Sequence, residues 1–452
     1  MPSKTALNHP DTDEMVSLLK GAIDPGHLAL LHLVAGEAVE SGLPLYIIGG
    51  FVRDLFVGQP GLDFDLVVEG DAIAFAKYIC RKYGGKITIH SHFGTASWEL
   101  DIEILPFSGV DISGPAVMPP LDFVTARSEI YSHPGALPKV KPGSLADDLS
   151  RRDFTINTLA LRLDGEFFGQ LVDQLGGLED LRQGLVRVLH PDSYIDDPTR
   201  ILRAVRYEKR YGFAIAPEDL RLIEAAKTHL GELSGERLRH ELDLILAEEN
   251  SAAMMRRLQE VGALSNIHPL LMWDQETARR LAALDQPAPA SWQDVPDLLH
   301  QPRRVALSYL LWLGSLKPDQ IEELAARLDF TASLREALLA LSRLYRDLAT
   351  LSSLKPSQGV ERLEGIPLLV VCAASLATEG SIRNVLEDYL SRLRFMKPAT
   401  RGDELIRRGL PPGPAYKAIL GRLRAARLDG EVRTDAEETA LLEALIKNQS
   451  GQ

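Results

Sequence analysis

The spacing of apolar residues changes once along the chain, and this change limits the folds that are open to it. Between about Pro44 and Val188, short apolar or alternating runs are separated by glycine, proline and polar residues, which is typical of strands mixed with helices. After Asp196, nearly every segment has the 3.6-residue spacing of amphipathic helices, and proline and glycine are confined to turns. The sequence therefore predicts a small α/β region followed by a long all-helical region.

Strand and helix signals follow each other closely within the α/β region. Two glycines after the first apolar run, followed by FVRDLFVG, predict a strand, a tight turn and a helix. Asp71, before an amphipathic run, predicts the N-cap of a second helix. Proline, glycine and serine are frequent at 128–144, which predicts a loop after the last of these strands. The predicted strands are 45–48, 63–68, 86–90, 96–104 and 121–126.

Composition indicates a cytoplasmic protein with a sizeable core. Of 452 residues, 45% are hydrophobic and 25% are charged, as in ordinary globular proteins. The opening MPSKTALNHPDTDEM lacks the apolar run of a signal peptide, and the longest apolar stretch, 366–377, is shorter than the about 20 residues of a membrane helix. The two cysteines, Cys80 and Cys372, lack metal-ligand spacing, so we expect neither a zinc site nor a disulfide framework.

Two aspartates at positions i and i+2 are the first candidates for catalysis. Asp63 and Asp65 lie in a strand-like run, where side chains two residues apart point to the same face. Two like charges in this arrangement are costly unless a cation shares them, and oxygen ligands of this kind suit Mg²⁺. An exposed strand edge that carries two acids has the same pattern. The pair therefore predicts a Mg²⁺ site only in combination with its surroundings.

The residues before these aspartates favour a bound phosphate. Gly49 and Gly50 lie at a strand-to-helix turn, where backbone N–H groups can approach a triphosphate. Arg53, in the helix that follows, can reach ribose or phosphate oxygens. A tight turn with an exposed arginine is the alternative interpretation.

A third carboxylate is expected if two metal ions are used, because the attacking hydroxyl must also be held. Asp122, in the strand-like run LDFVTA, is the candidate. Asp101 and Glu103, in the alternating run ELDIEIL, compete with it.

Two further motifs place arginines beside acids. In RRDFTINTLAL, Arg151 and Arg152 precede an apolar run that predicts a helix, and paired guanidinium groups of this kind bind phosphates. A salt bridge to Asp153 is the structural alternative. In DDPTRILRAVRY, an acid and an arginine one helical turn apart can hydrogen-bond the edge of a nucleobase, although a capped helix with a basic stripe has the same pattern. The arginines of this second motif are Arg200, Arg203 and Arg206.

The charge of the chain is unevenly distributed. The net charge is −13, which alone argues against a nucleic-acid-binding protein. The segment 392–427, however, contains ten basic residues and two acidic ones, Asp403 and Glu404. A local positive surface can exist on an acidic protein, so this segment predicts either an RNA-binding face or a solvated helix face.

Four of these motifs, in order, resemble a known family. GGFVRD, LDFDLVV, RRDFTINTLAL and DDPTRILRAVRY closely resemble successive motifs of the class II tRNA nucleotidyltransferases. This family comprises the bacterial and eukaryotic CCA-adding enzymes, bacterial poly(A) polymerases and the separate CC-adding and A-adding enzymes. The similarity covers about residues 44–242, and 401–423 is similar to the family's tail segment. No HD-type phosphohydrolase signature is present in the helical half.

The resemblance implies an α/β catalytic head of the polymerase-beta nucleotidyltransferase type, followed by an all-α neck, body and tail. The expected boundaries are an N-terminal helical extension at 1–43, the head at 44–150, a helical neck with nucleotide and base recognition at 151–242, the body at 243–390 and a tRNA-binding tail at 391–452.

The resemblance also implies roles for individual residues. Asp63 and Asp65 correspond to metal ligands, and Asp197 with Arg200 corresponds to the acid–arginine pair that recognises the base. The family often has glutamate where this chain has Asp196. The other expected nucleotide contacts are Gly49, Gly50, Arg53, Arg152, Asp153, Arg203 and Arg206. The expected tRNA contacts are Arg401, Arg407, Arg408 and Lys417.

The implied function is metal-dependent transfer of CMP and AMP from CTP and ATP to the 3′ end of tRNA, with Mg²⁺ as cofactor. Three alternatives remain open. The enzyme could add only CC, only A or a poly(A) tail. It could transfer nucleotides to a protein or small molecule, or the chain could be an RNA-binding module without activity.

Overall fold

The computed structural model describes residues 10–59, 61, 65–91, 94–100, 120–130, 135, 139–298 and 301–450, with backbone only for 448–450. These residues divide into two compact units. The first unit comprises 1–233 and 260–267, and the second comprises 234–259 and 268–452. Within the described ranges, no helix combines the length and the apolar character that a membrane span requires.

The first unit is built on a mixed seven-stranded sheet. The strand order is β3-β4-β5-β2-β1-β8-β9, in which β2 and β5 are parallel and the other neighbours are antiparallel. The strands of the first unit are β1 (Leu45–Ile48), β2 (Asp65–Val68), β3 (Lys86–His90), β4 (Thr95–Glu99), β5 (Leu121–Thr125), β6 (Arg127–Ile130), β7 (Lys139–Pro142), β8 (Ala160–Arg162), β9 (Gln170–Val172), β10 (Leu185–Val186) and β11 (Ala214–Ile215).

Helices cover both faces of this sheet. Two helices precede β1, and the others connect the strands or follow them. The helices of the first unit are α1 (Thr12–Ala22), α2 (Pro25–Glu40), α3 (Gly50–Val57), α4 (Ala72–Tyr83), α5 (Leu145–Ser150), α6 (Gly177–Gln183), α7 (Ser193–Asp196), α8 (Thr199–Tyr211) and α9 (Pro217–Ala226), to which α12 (Ala263–Ile267) is added after two helices of the second unit.

The second unit consists of helices joined by loops, and no strand occurs among its described residues. Its final helices pack around a small apolar cluster that contains Leu405, Ile419, Leu423 and Leu442. The helices are α10 (Gly235–Ala247), α11 (Ser251–Glu260), α13 (Gln275–Ala282), α14 (Arg303–Leu313), α15 (Pro318–Arg327), α16 (Ala332–Leu351), α17 (Pro356–Leu363), α18 (Leu368–Leu376), α19 (Gly380–Ser391), α20 (Gly402–Arg407), α21 (Pro414–Leu428) and α22 (Asp435–Ser450).

The α/β head followed by helices confirms the fold class expected from the sequence. Five predicted strands are present, although β2 is described only from Asp65 and β4 ends at Glu99. Asp71 caps α4 as expected, because its carboxylate accepts from the backbone N–H of Ala74 at 2.9 Å.

The expected loop at 128–144 is wrong. This segment contains most of an antiparallel hairpin, in which β6 pairs with β7 from Arg127↔Pro142 to Ile130↔Lys139. In the sequence, proline and glycine are concentrated between the residues of the two strands and at the end of the segment, and they obscured the strand signal. Pro142 is tolerated because it ends its strand, where a missing N–H removes no interior ladder bond.

The expected helix after Arg152 is also wrong. A single 3₁₀ turn, Thr155–Asn157, is followed by β8, which pairs with β1 on the side opposite to β2. Ala160 and Leu161 are both fully buried, and a strand buried on both faces has a continuous apolar run that resembles a buried helix. The head sheet therefore extends to Val172, beyond the expected boundary at residue 150.

Replacing Phe123 with alanine should lower the free energy of unfolding by about 3–5 kcal/mol. Phe123 is fully buried in the central β5, and its ring packs edge-to-face against Phe75 with 5.6 Å between centroids. Urea unfolding followed by circular dichroism measures the effect. Ile130→Ala is the control, because that side chain is 53% exposed. A loss below about 1 kcal/mol for Phe123→Ala would contradict this account of the core.

Candidate active site

A cleft of about 580 Å³ lies at the β2–β5 part of the sheet in the first unit. This volume is in the range of small-molecule sites in proteins. Charged and hydroxyl side chains predominate over apolar ones in its lining. The lining residues are Asp65, His90, Thr95, Ala96, Ser97, Asp122, Val124, Arg127, Arg151 and Arg152.

Two carboxylates stand side by side in this cleft. Asp65 in β2 and Asp122 in β5 are register partners in the parallel pair, so their side chains share one face on strands about 4.8 Å apart. The next residue in each strand, Leu66 or Phe123, points to the other face of the sheet, where both side chains are fully buried. The structure thus brings together the expected metal ligand and the expected third carboxylate.

The oxygen-only character of this pair fits Mg²⁺, which is commonly bound by one or two carboxylates together with substrate phosphates. Within the described ranges, no group of three or more metal-ligating side chains occurs. Asp63, the second expected ligand, lies outside the described residues, as do Asp101 and Glu103, the competitors of Asp122.

Three arginines, Arg127, Arg151 and Arg152, also line the cleft. Arg151 and Arg152 both donate to Asp148, a fully buried carboxylate of α5. Arg151 also donates to Glu129 of β6, which accepts from Arg127 at 3.2 Å. The cleft therefore combines two carboxylates with three guanidinium groups, a combination that suits a metal-bound triphosphate.

Gly49 brings the β1–α3 turn against one of these arginines. Its φ of +91° lies in the region that favours glycine, and an added Cβ would lie 2.6 Å from Nη1 of Arg152. Gly50, the first residue of α3, has a negative φ, and an added Cβ there would lie 3.4 Å from Nη2 of Arg53. The two glycines therefore place the N-terminus of α3 beside Arg152, an arginine that lines the cleft.

Arg53 is buried inside the protein in this structure and does not line the cleft. Only 5% of the residue is exposed, and its guanidinium donates to both carboxylate oxygens of Asp54 and to Asn157. The rings of Tyr207 and Tyr211 lie 5.1 and 4.7 Å from its guanidinium carbon. Burial alone would lower the pKa of Arg53, but Asp54 and the two tyrosines raise it.

The same network continues to α8 through Asp153. Asn157 Nδ2 donates to Asp153 Oδ1 at 2.8 Å, and Arg203 Nε and Nη2 donate to Asp153 Oδ2 at 2.9 and 2.7 Å. Burial would raise the pKa of the Asp153 carboxyl, but the charge of Arg203 and these hydrogen bonds lower it to about 2. Asp153 and Arg203 thus join the RRD segment to the helix that carries the other expected arginines.

The expected base-recognition pair lies at the start of α8. Asp197 Oδ1 accepts from the backbone N–H and the hydroxyl of Thr199, the first residue of α8, at 3.0 and 2.6 Å. Arg200 is 4% exposed, and it donates to Ser193 Oγ and to the backbone carbonyl of Arg151. The guanidinium carbon of Arg206, six residues further along α8, lies 5.5 Å from the centre of the Tyr207 ring.

The basic segment 392–427 in the second unit is largely neutralised. Seven of its ten basic residues form ion pairs, among them Arg407 and Arg408, which both pair with Glu404. Lys397, Arg401 and Lys417 have no ion-pair partner among the residues that the structure describes. Local acids therefore restrict the positive surface expected from the sequence.

Sequence reasoning missed several residues of the cleft and the two acids that hold its arginines. Asp148 and Glu129 were not candidates, because an acid that supports an arginine has no recognisable spacing of its own. Arg127 and His90 were also missed. His90 ends β3 and Arg127 begins β6, and only the folded structure decides which residues lie next to the end of a strand. The paired arginines of RRD were the one available sequence signal for the arginines of the cleft.

Two family models match the chain. The poly A polymerase head domain matches residues 45–187, and the probable RNA and SrmB-binding site of polymerase A matches residues 212–273.

Relatives match over most of its length. An A-adding tRNA nucleotidyltransferase of Halalkalibacterium halodurans is 30% identical, covering 93% of each chain. A CC-adding tRNA nucleotidyltransferase of Deinococcus radiodurans is 33% identical, covering 89% of each. An A-adding tRNA nucleotidyltransferase of Geobacter sulfurreducens is 35% identical over 94% of this chain, which spans only 48% of that relative.

Solved structures agree with these relatives. A CCA-adding enzyme in its apo form II superimposes with a TM-score of 0.79 at 31% identity, covering 96% of this chain and 98% of that one. The Thermotoga maritima CCA-adding enzyme complexed with tRNA has a TM-score of 0.76 at 29% identity, with the same coverage. The head fold is that of a nucleotidyltransferase. The chain belongs to the class II tRNA nucleotidyltransferase family.

Gly49→Ala should reduce nucleotide transfer while the protein remains folded. The added methyl group would displace the Arg152 guanidinium and strain the backbone by about 1–3 kcal/mol. The measurement is the initial rate of nucleotide incorporation. Gly58→Ala is the matched control, because Gly58 also has a positive φ, +73°, yet an added Cβ there meets nothing within 4 Å. Equal rates for the two variants would show that contact with Arg152 is not important.

Asp153 should make the stability of the first unit depend on pH below about 5. Its folded pKa of about 2 lies below the ordinary value of 3.8, so its stabilisation is complete above the ordinary value and disappears as pH falls through 2. The shift corresponds to about 2 kcal/mol. The difference in unfolding free energy between wild type and Asp153→Asn, measured from about pH 6 to 3, should therefore shrink. In the Arg203→Met background this pH dependence should be much smaller. A constant difference would contradict the assignment.

Proposed function

We propose that the chain transfers CMP and AMP from CTP and ATP to the 3′ end of tRNA and so builds or repairs the CCA end. The observation that carries this proposal is the pairing of Asp65 with Asp122 in one cleft with Arg151 and Arg152. Whole-length similarity to CCA-adding enzymes supports tRNA as the acceptor.

Mg²⁺ would be held by Asp65 together with Asp63, whose role here rests on the family motif. When bound, such ions supply charge neutralisation at the reacting phosphate and lower the pKa of a coordinated hydroxyl. The exposed carboxylate of Asp65 at the start of β2 leaves room for water and phosphate oxygens, which Mg²⁺ retains in its coordination shell.

The protein's own groups would orient both reactants. Asp122 would accept a hydrogen bond from the 3′-hydroxyl of the RNA and direct its oxygen toward the α-phosphate. Arg152 and the backbone N–H group of Gly50, at the N-terminus of α3, would bind the β- and γ-phosphates, whereas the N–H of Gly49 donates to the carbonyl of Leu159. As the bond to pyrophosphate breaks, negative charge accumulates on the leaving oxygens, and fixed guanidinium groups stabilise it.

Base selection would depend on Asp197 and Arg200. A carboxylate accepts hydrogen bonds from an exocyclic amino group, and a guanidinium donates to ring nitrogen or carbonyl acceptors. Cytosine and adenine both present an amino group beside an acceptor, so one pair of side chains can serve both bases. Arg200 donates a hydrogen bond to the backbone carbonyl of Arg151, and this contact would connect base selection to the arginines of the cleft.

Contact with tRNA would involve the tail residues Arg401, Arg407, Arg408 and Lys417. Arg401, Arg407 and Arg408 line a polar pocket of about 360 Å³ in the second unit. Because acids neutralise most of the neighbouring arginines, we expect few phosphate contacts there and a shallow dependence of affinity on salt.

Addition of A alone is the second candidate. It is favoured by two A-adding relatives, which are 35% and 30% identical over 94% and 93% of this chain. An enzyme of this type would use ATP and require a tRNA that already ends in CC.

The experiment that decides between them is incorporation of each labelled nucleotide with Mg²⁺ onto three tRNAs. These end before the CCA, after the first C and after the second C. Stepwise addition of C, C and A that then stops is expected. Addition of A only to the last substrate would establish the second candidate, and long A tracts on an unrelated RNA would indicate a poly(A) polymerase. No incorporation on any RNA would refute the proposal.

Asp65→Asn and Asp122→Asn should each reduce incorporation by about 100-fold or more, because each removes a charge at the reacting centre. Asp71→Asn is the matched control. Asp71 is exposed at the start of α4, and asparagine caps a helix as well as aspartate does. Activity of either cleft variant equal to that of the control would remove that carboxylate from the mechanism.

A further inference from the structure

Asp148 occupies an unusual position for an acid. It is completely buried, yet it faces two cations at once. Its Oδ1 accepts from Arg151 Nε and Nη2 at 2.9 and 2.7 Å, and its Oδ2 accepts from Arg152 Nε and Nη2 at 3.2 and 2.9 Å. Each carboxylate oxygen is thus shared by two N–H groups of one guanidinium, in charge-assisted hydrogen bonds that are stronger than those between neutral groups.

The remaining donors of these arginines are directed by other groups. Arg151 Nη1 donates to Glu129 at 3.1 Å, and Arg152 Nη1 lies against the backbone of Gly49. Glu129 also accepts from Arg127. All three arginines line the cleft, whereas neither acid does so.

Burial of a carboxylate is costly, and the cost is offset only when the charge is paired with good geometry. Burial would raise the pKa of the Asp148 carboxyl, but the charges of Arg152 and Arg151 and their hydrogen bonds lower it, so Asp148 is ionised at neutral pH. Three guanidinium groups against two carboxylates leave one net positive charge in this cluster. The acids therefore reduce the charge that faces the cleft, which a purely electrostatic anion site would not favour.

We propose that Asp148 is a positioning residue that holds the guanidinium groups of Arg151 and Arg152 in the orientation required by the triphosphate, with Glu129 as a second support for Arg151. An arginine side chain that is already immobilised loses little entropy when an anion binds, and its direction is set beforehand. The inference rests on the proposed nucleotidyl transfer and deepens it. It assigns nucleotide binding to a residue that does not touch the nucleotide.

A structural role is the competing explanation. Asp148 Oδ1 also lies 3.4 Å from the backbone N–H of Arg127, so the residue could simply attach α5 to β6. A purely electrostatic effect and a positioning effect predict opposite changes in the affinity of the cleft for anions when Asp148 loses its charge. Removing the negative charge makes the cleft more positive, so electrostatics alone predicts tighter binding of a polyanion. Positioning predicts weaker binding, because the two arginines lose their shared anchor.

The test is the affinity of wild type and Asp148→Asn for inorganic tripolyphosphate and for ATP, with Mg²⁺, measured by isothermal titration calorimetry on the full chain. We expect both affinities to fall about tenfold or more in the variant. The KM for ATP and CTP should rise by a similar factor, while kcat changes less.

Asp147→Asn is the matched control. Asp147 is the adjacent residue of the same helix, it is exposed, and its loss changes the net charge equally. Its carboxylate accepts from the backbone N–H of Ser144 at the start of α5, away from the arginines. We expect this variant to bind tripolyphosphate like wild type.

Unchanged or tighter binding by a folded Asp148→Asn would overturn the proposal. Should that variant fail to fold, as judged by circular dichroism, Glu129→Gln provides the same measurement, because Glu129 supports Arg151 from a strand and caps no helix. Wild-type affinity in Glu129→Gln would then overturn it. Calorimetry requires no turnover, so a chain that binds ATP but adds nothing to tRNA would refute the proposed function and leave the role of Asp148 testable.

Discussion

The parallel pairing of β2 with β5 is the constraint on which the rest of the site depends. It is the one parallel pair among the described strands of the seven-stranded sheet, and it sets Asp65 directly beside Asp122. The adjacent antiparallel pair adds Ser97 opposite Asp122. Two neighbouring carboxylates repel each other, and a cation or a set of fixed hydrogen-bond donors must offset this repulsion. The arginine cluster supplies positive charge of this kind, and the proposed Mg²⁺ ions would add to it.

Charge compensation recurs at increasing distance from the cleft. Asp148 and Glu129 support the arginines that line it, and Asp153 links Arg203 to Asn157 and so to Arg53. Each of these acids is buried or nearly so, and each is held by hydrogen-bonded guanidinium groups. Side chains that are fixed before the substrate binds need little reorganisation during the reaction, which is the condition for effective electrostatic stabilisation.

The second unit contrasts with this arrangement. Among the ion-paired basic residues of 392–427, Arg392, Arg407 and Arg422 are exposed, and the acids that pair with them are exposed or half-buried. Such exposed pairs contribute little to stability. The same residue type therefore serves two purposes. In the head it forms a rigid cluster that lines the cleft, and in the tail it forms a more adaptable surface, which we propose contacts tRNA largely through shape recognition.

The sequence by itself determined the class of fold and the family, and it predicted Asp63 and Asp65 as metal ligands with Asp122, in competition with Asp101 and Glu103, as a third carboxylate. Local patterns suffice for these, because strand alternation places Asp65 and Asp122 on definite faces, and four ordered motifs are too specific to arise together by chance. It did not determine the hairpin of β6 and β7 or the position of β8 beside β1. Their signals were short, and long-range pairing decided them.

The positions of the arginines were decided by tertiary structure alone. Arg53 has the sequence context of an exposed phosphate contact, yet it is buried between two tyrosines and Asp54. Arg151 and Arg152 had the context of an apolar helix, yet they follow α5 and face the cleft. A long side chain can turn either way from its backbone, and only the acids that surround it in the folded protein fix its direction. Asp148, which lies three and four residues before these arginines, becomes recognisable as their anchor only once α5 has ended and the chain has turned.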